Sequence, residues 1–575
     1  MNSLTLAVIG VAMILAGYFL YSKFLASRIY ALDDSLPTPA HQLEDGVDYV
    51  PTNKYVLWGH HFTSVAGAAP IVGPAVAVIW GWLPAFLWVT IGTVFFAGMH
   101  DMGALWASAR NRGQSIGALS GRYIGPRGRN LFIVVIFLLL LMVNAAFSVV
   151  IANLLIATPT AVIPTWGALI VAFLVGQAIY RYHWNLGVVS VVGVVALYAL
   201  ILVGDSVPLA LPETTLGIGA KSVWIILLFV YAGVASMLPV WMLLQPRDYI
   251  NGLQLFIALG ILYGSVLIAR PEIVAPAFNT NVPEGTPNII PLLFVTIACG
   301  AISGFHGMVS SGTSSKQLDK ESDARFVGYF GAVGEGLLAL GSIIATTAGF
   351  ATLADWENVY QKFNDGGVGA FVNGGGNIIE AGLGLPQSLS ATIMATTAIL
   401  FAATTMDTGV RLQRFVVQEI GDIVGFSLQK GVATVVAVGI ALALTFGAGA
   451  DGAGGMLIWP LFGTTNQLMA GLTLSIIAIM LMRRGRSALP ALIPLVFVLT
   501  MTVYALFIQL GTFYETQNWL LLVLDIIILI AALWVIVEAV SAMRGARSYD
   551  GDDDAELQAL SAREVEHVGD HPPHD

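Results

Sequence analysis

Fifteen stretches of this chain are long and apolar enough to cross a bilayer, and no other feature restricts its fold as strongly. They lie at 4–22, 60–80, 84–108, 130–156, 163–180, 186–204, 222–244, 252–270, 289–310, 326–352, 389–408, 432–448, 456–482, 488–510 and 518–542. About 20 helical residues span the hydrocarbon core, whereas a membrane barrel would show alternating segments of about ten. The expected class is therefore an all-α polytopic membrane protein of about fifteen transmembrane helices. Composition agrees, since 57% of the 575 residues are hydrophobic and only 10% charged, against about a quarter charged in soluble domains.

Orientation comes from the basic residues. With the N-terminus outside and fifteen crossings, every one of the 25 Lys and Arg falls on a cytoplasmic segment except Lys221, Arg270 and Lys362, as the positive-inside bias requires. The C-terminus is then cytoplasmic, and the location is the cell (plasma or inner) membrane. The first run has no basic stretch before it and no small-residue cleavage site, so it reads as a retained helix. The net charge of −10 is mostly local, because acids crowd the last residues; such a tail is expected to be disordered. A basic footprint for nucleic acid is absent, and the single Cys299 cannot form an intrachain disulfide.

Two of the runs carry helix breakers. The second contains Gly67, Pro70 and Pro74, and the run at 222–244 contains Tyr231-Ala-Gly-Val-Ala-Ser-Met-Leu-Pro239. Proline removes a ladder hydrogen bond, and in hydrocarbon the freed backbone groups need protein or a watery cavity beside them. Five crossings separate the two runs, so they point in opposite directions, which is the sequence pattern of an inverted-repeat transporter. This reading divides the chain into a leading helix and cytoplasmic loop (1–59), two five-helix repeats (60–204 and 205–430), four appended helices (431–545) and an acidic tail (546–575). The glycine-rich segments 353–388 and 447–455 read as flexible or partly re-entrant extracellular loops.

A broken helix offers free N–H groups and a positive dipole end to a carboxylate. The expected substrate-binding residues are thus His61, Gly67, Ala68 and Pro70 on the first broken run and Ser236 and Pro239 on the second. The hydroxyls of Ser310, Ser311 and Thr313 are oxygen ligands suited to a hard cation, and equally they can bond their own helix four residues back. Ionisable groups inside a membrane are functional hypotheses by default, and His306 and Asp101 join the hydroxyls as expected ion-coupling residues. For His60, His61, His100, His306 and Cys299, metal binding, proton relay and packing are the three readings. His60 and His61 project about 100° apart and so should not line one cavity. Asp407 is expected to pair with Arg411, one turn on; Asp525 and Glu538 sit on appended helices. No histidine precedes a glutamate in a His-Glu-x-x-His motif, and no enzymatic activity is expected.

Five blocks resemble one family. They are Gly59-His-His-Phe-Thr-Ser-Val-Ala-Gly-Ala-Ala-Pro-Ile-Val-Gly-Pro74; His100-Asp101 with Arg110-Asn-Arg-Gly-Gln-Ser-Ile-Gly117; Leu238-Pro-Val-Trp-Met-Leu-Leu-Gln-Pro-Arg-Asp-Tyr249; Ser303-Gly-Phe-His306 with Ser310-Ser-Gly-Thr313; and Trp459-Pro-Leu-Phe-Gly-Thr-Thr-Asn-Gln467. In this order, from about 55 to 470, they are similar to the carbon starvation protein A family. The resemblance implies a membrane transporter that takes up peptides or pyruvate when carbon is scarce. It also implies the five-plus-five inverted repeat of the amino acid, polyamine and organocation superfamily, in which the broken first helix and the hydroxyl-rich helix would form a sodium site. The expected function is a secondary active importer of small carboxylate-bearing nutrients (short peptides, amino acids or pyruvate) coupled to H⁺ or Na⁺. No cofactor is expected beyond that cation, with a bound metal ion left open. The alternatives are a channel-like or sensory membrane protein without coupled transport, or an intramembrane hydrolase.

Overall fold

Why the chain breaks where it does is visible from its first helices. The computed structural model describes residues 2–546 except Leu216 and Asn364; the expected acidic tail lies, but for its first residue, outside them. Helix α1 (Ser3–Ile29) starts at Asn2, whose side chain accepts from the Leu4 amide at 2.8 Å as an N-cap does. The second apolar run is two helices, α2 (Lys54–Ala66) and α3 (Ala69–Trp80), bent by 43°. Gly67 turns the corner at φ +46°, where a side chain would be strained. Pro70 then sits in the first turn of α3, where its missing N–H is not needed. Helix α4 (Trp82–Ala109) leads through the short α5 (Ile116–Tyr123) to α6 (Pro126–Ala157), and α7 (Pro159–Arg181) and α8 (Leu186–Ser206) come next.

The expected interruption inside 222–244 is not there. Helix α9 (Ala220–Met237) is unbroken, and Pro239 lies beyond its end, before α10 (Leu244–Ala269). The apolar run crosses this boundary because the connection Leu238-Pro-Val-Trp-Met-Leu243 is itself apolar. The second break lies further on, between α11 (Ile289–Thr296) and α12 (Gly304–Gly312). After α13 (Arg325–Ala348), the segment 353–388 departs from the expected loop. Most of it is helical, and α14 (Gly367–Leu383) contains the run Asn373-Gly-Gly-Gly-Asn377. Those glycines form a packing face: a Cβ on Gly374 would lie 2.1 Å from the Ala345 carbonyl oxygen, and one on Gly375 2.4 Å from Met394. The glycine-rich 447–455 is an exposed turn in its first part, with Gly447, Ala448, Ala450 and Asp451 exposed, and packs only at its end, where Gly454 and Gly455 are buried.

Helices α15 (Gln387–Val424), α16 (Lys430–Phe446), α17 (Trp459–Arg483), α18 (Leu489–Glu515) and α19 (Trp519–Ala546) complete the chain. Among the described residues, 12 helices are long and apolar enough to cross a membrane, or 13 if α2 and α3 form one span, against the fifteen expected. The shortfall has two sources: 289–310 is broken, and α16 has 17 residues.

The core is built on α6 and α15, the two longest helices at 32 and 38 residues, which pack against each other. Helices α9 and α16 each lean on both of them. Helix α10 lies along α2, while α17 lies along α11 and α12; α3 packs on α13, and α12 on α4. The remaining helices form the rim. On α8 the exposed row is Val188, Val191, Val192 and Val195, each 59–64% exposed, a surface that only lipid accommodates.

Packing and orientation can each be tested. At Gly73 a Cβ would meet the Thr296 carbonyl at 2.4 Å, whereas at Gly264, inside α10, it would meet nothing within 4 Å. Gly73→Ala should therefore lose about 1–3 kcal/mol by overpacking and melt earlier in detergent, while Gly264→Ala should melt at or slightly above wild type. For orientation, Lys320 and Gln361 are exposed on segments assigned to opposite sides. With Cys299 replaced by Ser, Lys320→Cys should react only with thiol reagents that reach the cytoplasm and Gln361→Cys only from outside; labelling of both from one side would refute the topology.

Candidate functional site

A broken helix inside a membrane leaves backbone groups that must be satisfied by protein, and the residues that do this here define the centre. In the first break, the carbonyls of Thr63 and Ser64 accept from the hydroxyls of Thr404 and Thr405 on α15, each at 3.1 Å. Ile71 O accepts from Ser342 at 2.7 Å. In the second, α17 takes the corresponding part: Asn466 Oδ1 accepts from the Phe305 amide at 2.9 Å, and Gln467 donates to Phe294 O at 3.2 Å. The two breaks touch across Gly73 and Thr296. Between them lies a small, largely apolar pocket with about 30 Å³ of free space, lined by Ala69, Val76, Thr296, Ala298, Cys299 and Asn466 among others.

The intramembrane ionisable groups gather in two clusters, apart from Asp525, which is buried without a hydrogen-bond partner among the described residues. In the first, Asp101 takes one imidazole on each oxygen: His100 Nδ1 lies 2.8 Å from Oδ1 and His306 Nδ1 2.8 Å from Oδ2. His306 Nε2 is in turn 3.2 Å from Glu335 Oε2 on α13. All four residues are at most 1% exposed. No lysine or arginine joins these acids in an ion pair among the described residues, so any charge balance must come from protons on the imidazoles and carboxyls. His61 turns to Ser314, Nδ1 to Oγ at 2.9 Å.

The second cluster has a fixed cation. His60 Nδ1 is 2.6 Å from Asp248 Oδ2, and Arg247 joins Asp248 (Nε to Oδ1, 2.8 Å) to Asp407 (Nη2 to Oδ1, 3.1 Å). Tyr231 donates to Asp407 Oδ2 at 2.9 Å. The expected Asp407–Arg411 pair does not form. Arg411 and Arg414 turn instead to the C-terminus of α9, where Arg411 donates to Ala235 O at 3.2 Å and Arg414 to Ser236 O at 2.9 Å. The last carbonyls of a helix have no partner within it, and two guanidinium groups meet that need.

The expected substrate residues therefore separate. Gly67, Ala68 and Pro70 stand at the first break, and His61 lies on α2 just before it. Ser236 and Pro239 mark the capped end of α9, where the Ser236 hydroxyl donates to Gly233 O at 2.8 Å. Of the expected ion ligands, Ser311 and Thr313 donate to Gly307 O and Val309 O, four residues back, at 2.7 and 2.9 Å. Ser310 Oγ is buried without a hydrogen-bond partner among the described residues. His60 and His61 face different elements, as their spacing requires. Among the described residues no group of three or more His, Cys, Asp or Glu is arranged to hold a metal ion; Cys299 Sγ accepts from Asn466 Nδ2 at 2.9 Å. Glu335, Arg247, Asp248 and Asn466 complete these networks. The sequence signal for Glu335 is its charge inside an apolar run; Asn466 offers only its place in the last of the five blocks.

The description "Carbon starvation protein CstA" belongs to the family whose pattern matches residues 2–359 and 350–505. The chain belongs to that family. It is 30% identical to the pyruvate/proton symporter BtsT of Escherichia coli (strain K12), covering 90% of this chain and 84% of the relative. It is 33% identical to the peptide transporter CstA of Bacillus subtilis (strain 168), covering 94% and 97%. Among solved structures it is similar to a manganese transporter of Eremococcus coleocola, with a TM-score of 0.49 and 13% identity over 88% of this chain and 99% of the other. The protein is thus a multi-pass membrane protein of a transporter family, and its relatives are named for small-molecule substrates.

Removing one partner of a buried ion pair costs about 3–5 kcal/mol because it strands the other. Arg247→Met, which strands both Asp248 and Asp407, should lower the melting temperature in detergent more than Asp407→Ala, which leaves Arg247 its pair with Asp248.

Proposed function

We propose that this protein is a proton-coupled importer of small carboxylates such as pyruvate or short peptides, working when carbon is scarce. The observation that carries this reading is the Asp101–His306–Glu335 network, two buried acids bridged by an imidazole with no fixed cation in ion pair with them. Such a group changes its charge only by taking or giving protons, and histidine does so near physiological pH. Sodium is disfavoured at Ser311, whose oxygen already accepts the Ile116 amide at 2.9 Å. In this reading the substrate binds where the two breaks meet, at helix ends that favour a carboxylate, with Asn466 and Cys299 on the wall of the small pocket that widens to admit it. The names of the relatives in Escherichia coli and Bacillus subtilis supply the two substrate classes.

The packing also supports an inverted repeat, with a partition set by the observed breaks. The first half is α2/α3, α4, α5, α6, α9 and α10, and the second is α11/α12, α13, α14, α15, α16 and α17. Each feature has its counterpart: α9 and α16 both lean on the α6–α15 pair, α10 and α17 flank the broken helices, and α3 on α13 mirrors α12 on α4. Counting each broken pair as one crossing, seven steps separate the two broken helices. Seven is odd, so they run in opposite directions. Helices α7 and α8 are then an insertion, α1 a preface, and α18 and α19 an appendage.

Proteoliposome uptake tests the reading. The wild type should accumulate labelled pyruvate or dialanine against its gradient when H⁺ is driven inward, and Glu335→Gln should keep substrate exchange but lose about tenfold or more of the H⁺-driven accumulation. Accumulation driven by Na⁺ at fixed pH would overturn proton coupling, and flux only down the substrate gradient would mean a channel.

A further inference from the structure

A second cavity, of about 300 Å³, opens between α5, α6, α12 and α15. Its inner wall is apolar, with Ile133, Ile136, Leu140 and Met308, and Lys316 stands on it. The Lys316 ammonium lies over two rings, 5.2 Å from the centroid of Tyr49 and 5.2 Å from that of Phe415, close enough for cation–π attraction. Those rings fix where the charge sits but accept no conventional hydrogen bond.

The charged groups around it are otherwise engaged. Asp45 accepts the amides of Val47, Asp48 and Tyr49 at 2.8–2.9 Å, and Asp48 lies 3.4 Å from Arg411. Glu419, on the cavity wall, is bound by Arg129 at 2.6 Å. Arg411 and Arg414 are held by the end of α9. Among the described residues no hydrogen bond or ion pair holds Lys316 Nζ. Burial accordingly lowers the pKa of the ammonium, with Asp48 and Asp45 pulling the other way. The N-terminus of α5 lies on the same wall, at Ser115, Ile116 and Gly117. Ser115 Oγ accepts the Ala118 amide and Ser311 Oγ that of Ile116, so the positive end of the helix adds to the lysine.

We propose that this cavity is a second carboxylate site, separate from the one between the breaks, where Lys316 receives the carboxylate of a small, partly apolar acid at the basic face. An apolar wall for the body and one positioned cation for the head are what a 2-oxo acid or a peptide C-terminus requires. That such acids are the cargo rests on the transport reading; the site itself does not.

Two measurements separate these. The rate at which an N-hydroxysuccinimide ester acylates Lys316, read by peptide mass spectrometry on purified full-length protein, should fall in pyruvate or N-acetyl-dialanine, whose blocked amine spares the ester, and stay unchanged in ethyl pyruvate, which has no carboxylate. Equal rates in all three would overturn the site whether or not the protein transports. In proteoliposomes, Lys316→Met keeps the stem between the rings and should raise KM about tenfold from the basic face only, the weight of one charge-assisted contact; Lys316→Arg should stay near wild type. Equal KM changes on both faces, or none, would refute the site. Protection without any carboxylate flux in wild type would sink the transport reading and leave the site standing.

Discussion

A membrane offers no water to a broken helix, so the fold depends on the groups that satisfy its two breaks. Thr404 and Thr405 hold the carbonyls of the first; Asn466 and Gln467 hold an amide and a carbonyl of the second. An unsatisfied backbone group in hydrocarbon costs several kcal/mol, more than most single packing contacts contribute. The helices bearing these side chains, α15 and α17, are accordingly among the most enclosed. The space between the breaks exists because it is lined by backbone whose needs are met from outside it.

Local signals are legible in the sequence, and long-range ones are not. Hydrophobic runs are local, and nearly every helix lies where a run predicts it. Gly67 and Pro70 are local too, and the first break falls on them. The second break has no proline: between Ile297 and Ser303 the chain opens because Asn466, more than 160 residues away, caps the start of α12. Pro239 conversely marks an end, not a break, since an apolar turn extends the run beyond its helix. The glycines of α14 mislead for a related reason. A glycine run in isolation reads as freedom, but against Ala345 and Met394 it is the condition for close approach. The fate of Asp407 is also non-local, because the carbonyls at the end of α9 draw Arg411 away from it.

The two charge clusters differ in a way composition alone does not reveal. Arg247 binds two carboxylates, and that cluster keeps one arrangement because its cation cannot leave. The cluster around Asp101 has imidazoles in that place, and its charge depends on the proton supply. Buried acids thus serve on one side of the molecule as a clamp and on the other as a site whose state can change. Both lie within reach of the first broken helix, one through His60 and the other past His61, so the two neighbouring histidines divide the roles by pointing apart.

Helix α15 carries Thr404, Thr405, Asp407, Arg411 and Arg414 within about 15 Å of a single rod. Thr404 and Thr405 grip the first break, Asp407 the Arg247 clamp, and Arg411 with Arg414, about a turn further on, the end of α9. A tilt of this rod cannot release one of these attachments and spare the others. Motion at the centre would therefore come in one concerted step, and a perturbation at the α9 end would be felt at the break without any chain of small adjustments between them.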